Sequence, residues 1–326
     1  MTANPKPPVV FIMGPTTAGK TDLAIWLAQQ RPVTLISVDS AMVYRGLDIG
    51  TAKPSPATLR QYPHQLVDIR DPAASYSAAD FARDARRAIA AAHAEGRLPI
   101  LVGGTALYFR VLLDGIAPLP TADPALRAQL AARAARDGWP ALHRELAQVD
   151  PETAARLHPQ HSQRIQRALE VHALTGQPLS ALHRQQQQQT PGSFATQYDL
   201  RQLALLPRLR QRLHARIEAR LSVMFSRGLV AEAQRLYERG DLHPELSAMR
   251  TVGYRQLWPF FAGEYDLEEA RNRVAAATRQ LAKRQLTWLR RWPGLSVLHL
   301  EDAKDRPMER AQLHAQAWKM LNLPPL

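Results

Sequence analysis

Short apolar runs alternate with amphipathic segments along the first hundred residues of the chain. Val9–Met13, Val33–Val38 and Pro99–Val102 are mostly apolar and rich in β-branched residues, which is typical of strands that are buried on both faces. Helices are predicted between them, over Lys20–Gln30 and from Ser77 to about Ala94. Strands that alternate with helices in this way predict a parallel α/β sheet.

The pattern becomes helical after Gly115. Asp123 and Asp150 each precede a proline, as N-cap residues do when proline takes the first helical position. Another helix is predicted over about Gln163–Thr175. Residues 185–192, a glutamine run followed by Thr-Pro-Gly, predict a loop that closes this helical segment.

The remaining chain is predicted to complete the sheet and to end in basic helices. Tyr198–Leu206 alternates in polarity and returns to the sheet, Pro207 opens a helix, and Leu295–Leu300 forms a late strand. We therefore predict three segments: the first part of the α/β core over residues 1–117, an inserted all-helical domain over residues 118–195, and core completion with C-terminal helices over residues 196–326.

Composition narrows the range of functions. The 326 residues, 45% of them hydrophobic, can form one large core or two ordinary ones, which excludes a disordered chain. The net charge is +13, and +10 of it lies in residues 116–326, so a polyanionic partner is expected, although solubility alone would also explain it. The chain has no cysteine, which excludes disulfides and thiol catalysis. No apolar run approaches the roughly 18 to 20 residues that span a bilayer, so we predict a cytoplasmic protein without a membrane segment.

The strongest single motif lies between the first strand and the first helix. It has the spacing GxxxxGK[ST] and comprises Gly14, Pro15, Thr16, Thr17, Ala18, Gly19, Lys20 and Thr21. In such a loop backbone N–H groups surround phosphate oxygens, the lysine bridges them, and the final hydroxyl can hold Mg²⁺. The sequence therefore predicts a P-loop NTPase-like core with Thr21 as a metal ligand.

The carboxylate that most P-loop proteins carry at another strand end is not where it is usually found. Ile100–Val102 runs into Gly103 and Gly104, whereas Asp39 follows the second strand. The carboxyl end of that strand should lie beside the phosphate loop. Asp39 is thus a candidate general base or a water-mediated metal ligand, and the structural alternative is a helix N-cap.

Several motifs along the chain together closely resemble the tRNA dimethylallyltransferases. The residues that carry this resemblance are the loop Gly14–Thr21, the segments Ser37–Ser40 and Tyr44–Pro54, Asp68–Pro72, Val102–Thr105, Arg250–Gln256 and Lys283–Arg290. The resemblance implies transfer of the dimethylallyl group of dimethylallyl diphosphate to N6 of adenosine 37 in tRNAs that read codons beginning with U. The phosphate loop would then bind the diphosphate with Mg²⁺, and ATP hydrolysis is not required.

The resemblance also implies roles for particular residues. Asp39, Thr21 and Arg220 would be catalytic, with Arg220 near the diphosphate. A base in an anticodon stem-loop has to be flipped out to react, and the chain would act on it as a monomer. The residues expected to contact tRNA are Asp39, Ser40, Ala41, Met42, Thr105, Arg127, Gln163, Arg164, Ile165, Gln166, Arg167, Arg250, Thr251, Val252, Gly253, Tyr254, Arg255, Lys283, Arg284, Gln285, Leu286, Thr287, Trp288, Leu289 and Arg290.

Two cationic patterns support an anionic substrate independently of the family. Arg208, Arg212, Arg216 and Arg220 are spaced four apart and predict a cationic ridge on one helix face. Residues 270–291 carry seven Lys and Arg residues and no acid, whereas a solvated helix face usually carries some. The alternatives are a small-molecule P-loop kinase, an adenine-nucleotide prenyltransferase, and a noncatalytic RNA-binding protein that keeps the loop only as a relic.

Overall fold

The computed structural model describes residues 6–115, 119–189 and 194–323, without the side chains of residues 187–189. By its internal contacts the chain divides into two compact units, one formed by Met1–Val111 with Ala195–Leu326 and the other by Leu112–Phe194. The predicted segment boundary at residues 117 and 118 and the predicted loop residues Thr190–Gly192 lie outside the described residues.

The first unit is built on a sheet to which the described residues contribute six strands. The strands are β1 (Pro8–Met13), β2 (Val33–Val38), β3 (His64–Gln65), β4 (Leu98–Gly103), β5 (Asp199–Leu206) and β6 (Ser296–His299). Their order is β3-β2-β4-β1-β5-β6, and every neighbouring pair is parallel. The predicted parallel α/β fold is confirmed.

Helices make up most of the remaining chain. In chain order they are α1 (Lys20–Gln30), α2 (Pro56–Gln61), α3 (Ala78–Ala94), α4 (Ala106–Asp114), α5 (Pro124–Asp137), α6 (Trp139–Val149), α7 (Pro151–Arg156), α8 (Ser162–Thr175), α9 (Leu179–Gln189), α10 (Phe194–Gln197), α11 (Arg210–Ser226), α12 (Leu229–Tyr237), α13 (Tyr254–Phe261), α14 (Leu267–Leu289) and α15 (Arg310–Leu321). Within residues 6–115, 119–189 and 194–323, none of them has both the length and the apolar character needed to cross a bilayer.

Apolar side chains cover both faces of the central strands. On one face Val10 and Ile12 of β1 pack in a cluster with Leu27 of α1 and Leu321 of α15. On the other face the ring of Phe11 lies 4.9 Å from that of Phe109 in α4. Burial on both sides explains why β1 contains no polar residue.

The second unit is helical wherever the structure describes it, as predicted. Asp123 and Asp150 cap α5 and α7, and their Oδ1 atoms accept the N–H groups of Leu126 at 2.9 Å and Thr153 at 3.0 Å. These caps satisfy backbone donors that a helix start leaves without partners. The core of the unit contains Leu130, Leu142, Leu146, Ile165 and Leu169.

Two local predictions are wrong. Gln185–Gln189 do not form a loop, because α9 continues through them, and glutamine is a good helix former. Pro207 does not open α11, which begins at Arg210. The intervening residues are held by Glu301, whose Oε2 accepts the Arg208 N–H at 2.7 Å and whose carbonyl accepts Arg208 Nε.

Candidate active site

The carboxyl ends of the central parallel strands open into one cavity of about 740 Å³. Ligands of open α/β sheets commonly bind at this edge. The cavity is lined by the phosphate loop after β1, by the turn that begins at Asp39 after β2, and by residues 102–106 at the end of β4. Helices α11 and α14 supply the opposite wall.

The phosphate loop presents backbone donors at the start of α1. Gly19 is the N-cap residue of this helix, at a φ of 83°, and no side chain caps it. In the described part of the chain, the backbone N–H groups of Gly19, Lys20 and Thr21 have no acceptor. Such groups at a helix N-terminus favour a bound anion.

Lys20 lies within this loop with its side chain partly buried. Its ammonium group donates to the carbonyl of Pro15 at 2.8 Å. The pKa of Lys20 is lowered to about 8, chiefly by burial and also by the nearby Arg220 guanidinium, while Asp39 has the opposite effect. Burial also lowers the pKa of Arg220, again opposed by Asp39. Both cations lose hydration at this site, and a bound polyanion would stabilise their charged forms.

Asp39 is held in a defined orientation by the turn that follows it. Its Oδ1 accepts the backbone N–H groups of Ala41 at 2.8 Å and Met42 at 3.3 Å. Residues 40–43 form a turn and not an α-helix, so the helix N-cap alternative for Asp39 is wrong. Among the described residues Asp39 is hydrogen-bonded through Oδ1 alone, and its Oδ2 has no hydrogen bond there.

The glycines that replace an acid after β4 allow close backbone approach. A Cβ atom on Gly103 would lie 2.0 Å from the carbonyl oxygen of Val38 in β2. One on Gly104 would lie 2.3 Å from Nε2 of Gln285 in α14. Any larger residue would therefore push apart the elements that carry the site.

The helical wall of the cavity is largely apolar. From α11 and the start of α12 it contains Ile217, Leu221, Met224 and Leu229, and from α14 it contains Val274, Leu281 and Trp288. The three residues of α14 are spaced seven apart, so they lie on one face of that helix. Arg220 and Arg284 are the cations that line this wall within the described residues. The cavity therefore has a polar side with phosphate-binding chemistry and an apolar side.

The cavity brings together many, but not all, of the predicted site residues. Those that line it are Thr16, Thr17, Ala18, Gly19, Lys20, Thr21, Asp39, Ser40, Ala41, Met42, Thr105, Arg220, Arg250, Thr251, Val252, Gly253, Arg284, Gln285 and Trp288. Others occupy the same elements without lining it, namely Gly14, Pro15, Tyr254, Arg255, Lys283, Leu286, Thr287, Leu289 and Arg290. Tyr254 and Leu289 are buried, so their side chains support neighbouring elements.

The other predicted tRNA contacts, Arg127 and Gln163–Arg167, belong to the second unit. Arg127 makes a two-pronged ion pair with the buried carboxylate of Glu170, at 2.8 and 3.0 Å. Arg167 contacts the same carboxylate at 2.6 Å, and Ile165 is completely buried. Arg127, Ile165 and Arg167 therefore organise their own unit, although about two fifths of the Arg127 side chain is still exposed. Gln163 and Arg164 are exposed.

The two predicted cationic patterns are only partly present. Arg208 lies before α11, so the ridge on that helix begins at Arg212. The acid-free stretch of α14 finds partners beyond itself: Arg279 pairs with Glu218 of α11 and Arg273 with Glu269 at the start of its own helix. Part of the apparent excess of positive charge is thus neutralised within the fold.

Sequence reasoning missed Glu232, a buried residue that supports the cavity. Its carboxylate accepts the backbone N–H groups of Asp48, Ile49 and Gly50 and the hydroxyl of Tyr254. Tyr254 directly follows the segment 250–253 that lines the cavity. The sequence signal that could have indicated a buried carboxylate is the position of Glu232 on the apolar face of α12.

Comparison with known proteins finds relatives that match this chain over nearly its whole length. The family model described as IPP transferase matches residues 42–292. A tRNA dimethylallyltransferase of Thioalkalivibrio sulfidiphilus is 53% identical over 314 residues, covering 95% of this chain and 96% of that protein. A second, of Alkalilimnicola ehrlichii, is 55% identical over 305 residues, covering 93% and 94%.

Solved structures show the same similarity in three dimensions. The tRNA isopentenylpyrophosphate transferase of Bacillus halodurans has a TM-score of 0.68 and 34% identity, with 97% of each chain covered. A eukaryotic dimethylallyltransferase acting on tRNA has a TM-score of 0.77 and 25% identity, covering 98% of this chain and 80% of that one.

Proposed function

This chain belongs to the IPP transferase family, and from that premise we propose the reaction that its cavity carries out. The enzyme transfers the dimethylallyl group of dimethylallyl diphosphate to N6 of adenosine 37 in tRNAs that read codons beginning with U. The products are N6-dimethylallyladenosine and diphosphate.

One observation carries this proposal: a single cavity combines a phosphate loop, a carboxylate and an apolar wall. The donor has the same two-part character, since a charged diphosphate is attached to a short apolar chain. The loop N–H groups and Lys20 suit the diphosphate, and the wall that includes Leu221 and Trp288 suits the hydrocarbon. Asp39 is then available on the polar side for the nucleophile.

The residues divide the chemistry between leaving group and nucleophile. The bond between the allylic carbon and the diphosphate oxygen breaks, and diphosphate leaves with that electron pair. Lys20, Arg220 and the loop N–H groups stabilise the negative charge that develops on it. The bond from N6 to the allylic carbon forms, and Asp39 Oδ2 accepts the proton that N6 loses.

The donor set near the loop fits a Mg²⁺ ion that is bound mainly through the substrate. The described residues contain no cluster of three or more His, Asp or Glu side chains able to enclose a metal. Thr21 offers a hydroxyl at the start of α1, and Mg²⁺ commonly takes few protein ligands together with phosphate oxygens and water. The ion would neutralise charge on the leaving diphosphate.

The finer assignments rest on the family resemblance. The target is the anticodon stem-loop, from which the base is flipped into the cavity. The solvent-accessible residues within 39–42, 250–255 and 283–290 guide it, and the helical segment predicted over residues 118–195 is a tRNA-binding domain. The enzyme acts as a monomer in the cytoplasm, where its tRNA substrate is found.

The decisive experiment compares the wild type with Asp39→Asn in a reaction with dimethylallyl diphosphate, Mg²⁺ and unmodified tRNA. Wild type should add one dimethylallyl group to adenosine 37, measured by nucleoside mass spectrometry. The variant keeps an oxygen that can cap the turn but cannot accept the proton, so kcat should fall by about 10²- to 10⁴-fold.

Asp241→Asn, which removes the same charge at an exposed site, is the matched control and should keep wild-type kcat. Transfer to AMP but not to tRNA would favour an adenine-nucleotide prenyltransferase. Phosphorylation of a small molecule by ATP would favour the kinase, and tRNA binding with no reaction would favour a noncatalytic RNA-binding protein.

A further inference from the structure

Gln285 of α14 uses both ends of its side-chain amide inside the protein. Its Oε1 accepts the backbone N–H of Thr16 in the phosphate loop at 2.8 Å. Its Nε2 donates to the carbonyl of Gly104, just after β4, at 3.1 Å. The residue is 8% exposed, so water cannot readily replace either bond.

The surrounding backbone is shaped around this amide. Nε2 occupies the space into which a Cβ atom of residue 104 would project, 2.3 Å away. Thr16 lies in the first half of the phosphate loop, ahead of the helix-start donors expected to meet the diphosphate. A single side chain therefore links this loop to the end of β4, beyond Met13 and Gly103, the last residues at which β1 and β4 pair.

The same link extends to the carboxylate side of the cavity. Thr105, which follows Gly104, accepts the backbone N–H of Ser40 through its hydroxyl at 3.2 Å. Ser40 follows Asp39 directly. Gln285 thus stands between the loop that holds the leaving group and the turn that carries the proposed base.

Its neighbours on α14 behave differently. Lys283 and Thr287 are exposed, and they remain free to meet a large substrate. Since both polar ends of Gln285 are already bonded within the fold, the expectation that it contacts tRNA has little geometric support.

We propose that Gln285 is a positioning residue of the donor site, which fixes the phosphate loop relative to the Asp39 turn, and that it does not recognise tRNA. This inference rests on the proposed function for the identity of the donor. The positioning role itself requires only that the phosphate loop binds a diphosphate.

The test measures donor and tRNA separately in Gln285→Met, which keeps side-chain size but loses both bonds. Inorganic diphosphate binding with Mg²⁺ is followed by calorimetry, and tRNA binding by gel shift. We expect the Kd for diphosphate and the KM for dimethylallyl diphosphate each to rise about tenfold, because two buried backbone groups lose their partner. The Kd and KM for tRNA should change less than twofold.

Gln280→Met is the matched control, since Gln280 is an exposed glutamine of the same helix, and it should match wild type. Lys283→Ala should give the opposite pattern, with weaker tRNA binding and unchanged diphosphate binding. Gln285→Glu, which keeps the acceptor for Thr16 but sets an oxygen against the Gly104 carbonyl, should weaken diphosphate binding even if the methionine variant does not fold.

Weaker tRNA binding with unchanged diphosphate affinity in the Gln285 variants would overturn the proposal. Equal losses for both ligands with a lower melting temperature would also overturn it in favour of a purely structural role. If wild-type protein binds diphosphate but transfers nothing to tRNA, the proposed function fails, and the calorimetry still decides the role of Gln285.

Discussion

Within the described residues, the backbone N–H groups of the loop 48–50 and those of the phosphate loop are satisfied in opposite ways. In the loop 48–50, all three consecutive N–H groups bond to the buried carboxylate of Glu232, at 3.1, 2.8 and 2.9 Å. In the phosphate loop, the N–H groups of Gly19, Lys20 and Thr21 have no acceptor within the described part of the chain. The first cluster is complete within the fold, whereas the second suits an external anion.

The charged side chains beside the two clusters also have opposite signs. Glu232 brings a negative charge to its N–H groups. At the phosphate loop the charges are positive, from Lys20 of the loop and Arg220 of α11, whose pKa values are both lowered, chiefly by burial. The fold thus bears an unfavourable arrangement at the loop that a bound diphosphate would relieve. Substitutions in the first cluster should therefore affect stability, and those in the second should affect function.

The largest effect is expected for Lys20→Met, which removes the cation of the phosphate loop. The value of kcat/KM for dimethylallyl diphosphate should fall on the order of 10³-fold, because the charge of the leaving group loses its partner. Steady-state kinetics measures this loss. The melting temperature of the ligand-free protein should stay the same or rise, because burial opposes the charged ammonium.

Lys304→Met, which removes a charge at an exposed site, serves as the control and should change neither quantity. A clear fall in the melting temperature of Lys20→Met would contradict the contrast between the clusters, because the residue would then support the fold.

The next effect is expected for Glu232→Gln, which keeps the size of the side chain but turns one accepting oxygen into a donor. A buried N–H or hydroxyl then lacks its acceptor, so the free energy of unfolding should fall by about 2 kcal/mol. Urea unfolding measures this change, and Glu245→Gln at an exposed position is the control. If Glu232→Gln lost diphosphate affinity without losing stability, the proposed division between a stabilising cluster and a ligand-binding cluster would be wrong.

Much of the phosphate-loop cluster could be predicted from sequence because its parts are local. The strand, the loop and the helix occupy consecutive residues, and Lys20 and Thr21 follow the glycine spacing directly. The position of Asp39 followed from a topological rule for parallel sheets, and β1, β2 and α1 have the predicted residues with at most one added. Local hydrogen bonding and apolar patterning were sufficient for these elements.

The rest depended on contacts between distant parts of the chain. Gln285 reaches Thr16 across 269 residues, and Glu232 reaches Gly50 across 182. Residues 207–209 are not helical, although a helix was predicted to begin at Pro207, because Glu301 binds Arg208. The glutamine run joined α9 because its helix propensity outweighed its polarity. Partners that are distant in sequence do not change the local pattern of apolar and polar residues, so that pattern could not reveal them.

The smallest effect expected is a pH dependence that belongs to the phosphate loop alone. Diphosphate binds the charged ammonium of Lys20, and the pKa of this group in the ligand-free protein is about 8. The affinity for inorganic diphosphate should thus be steady below about pH 8 and fall by about tenfold per pH unit above it. The stability of the ligand-free protein should change with pH in the opposite direction. In the unfolded chain the pKa of Lys20 has its ordinary value of 10.5, so between about pH 8 and 10.5 the unfolded chain binds more protons than the folded one. The free energy of unfolding therefore rises with pH over this window. Calorimetry from pH 7 to 9.5 measures the affinity, and the Lys20→Met variant should lose the slope. The same slope in that variant would assign the titration to another group.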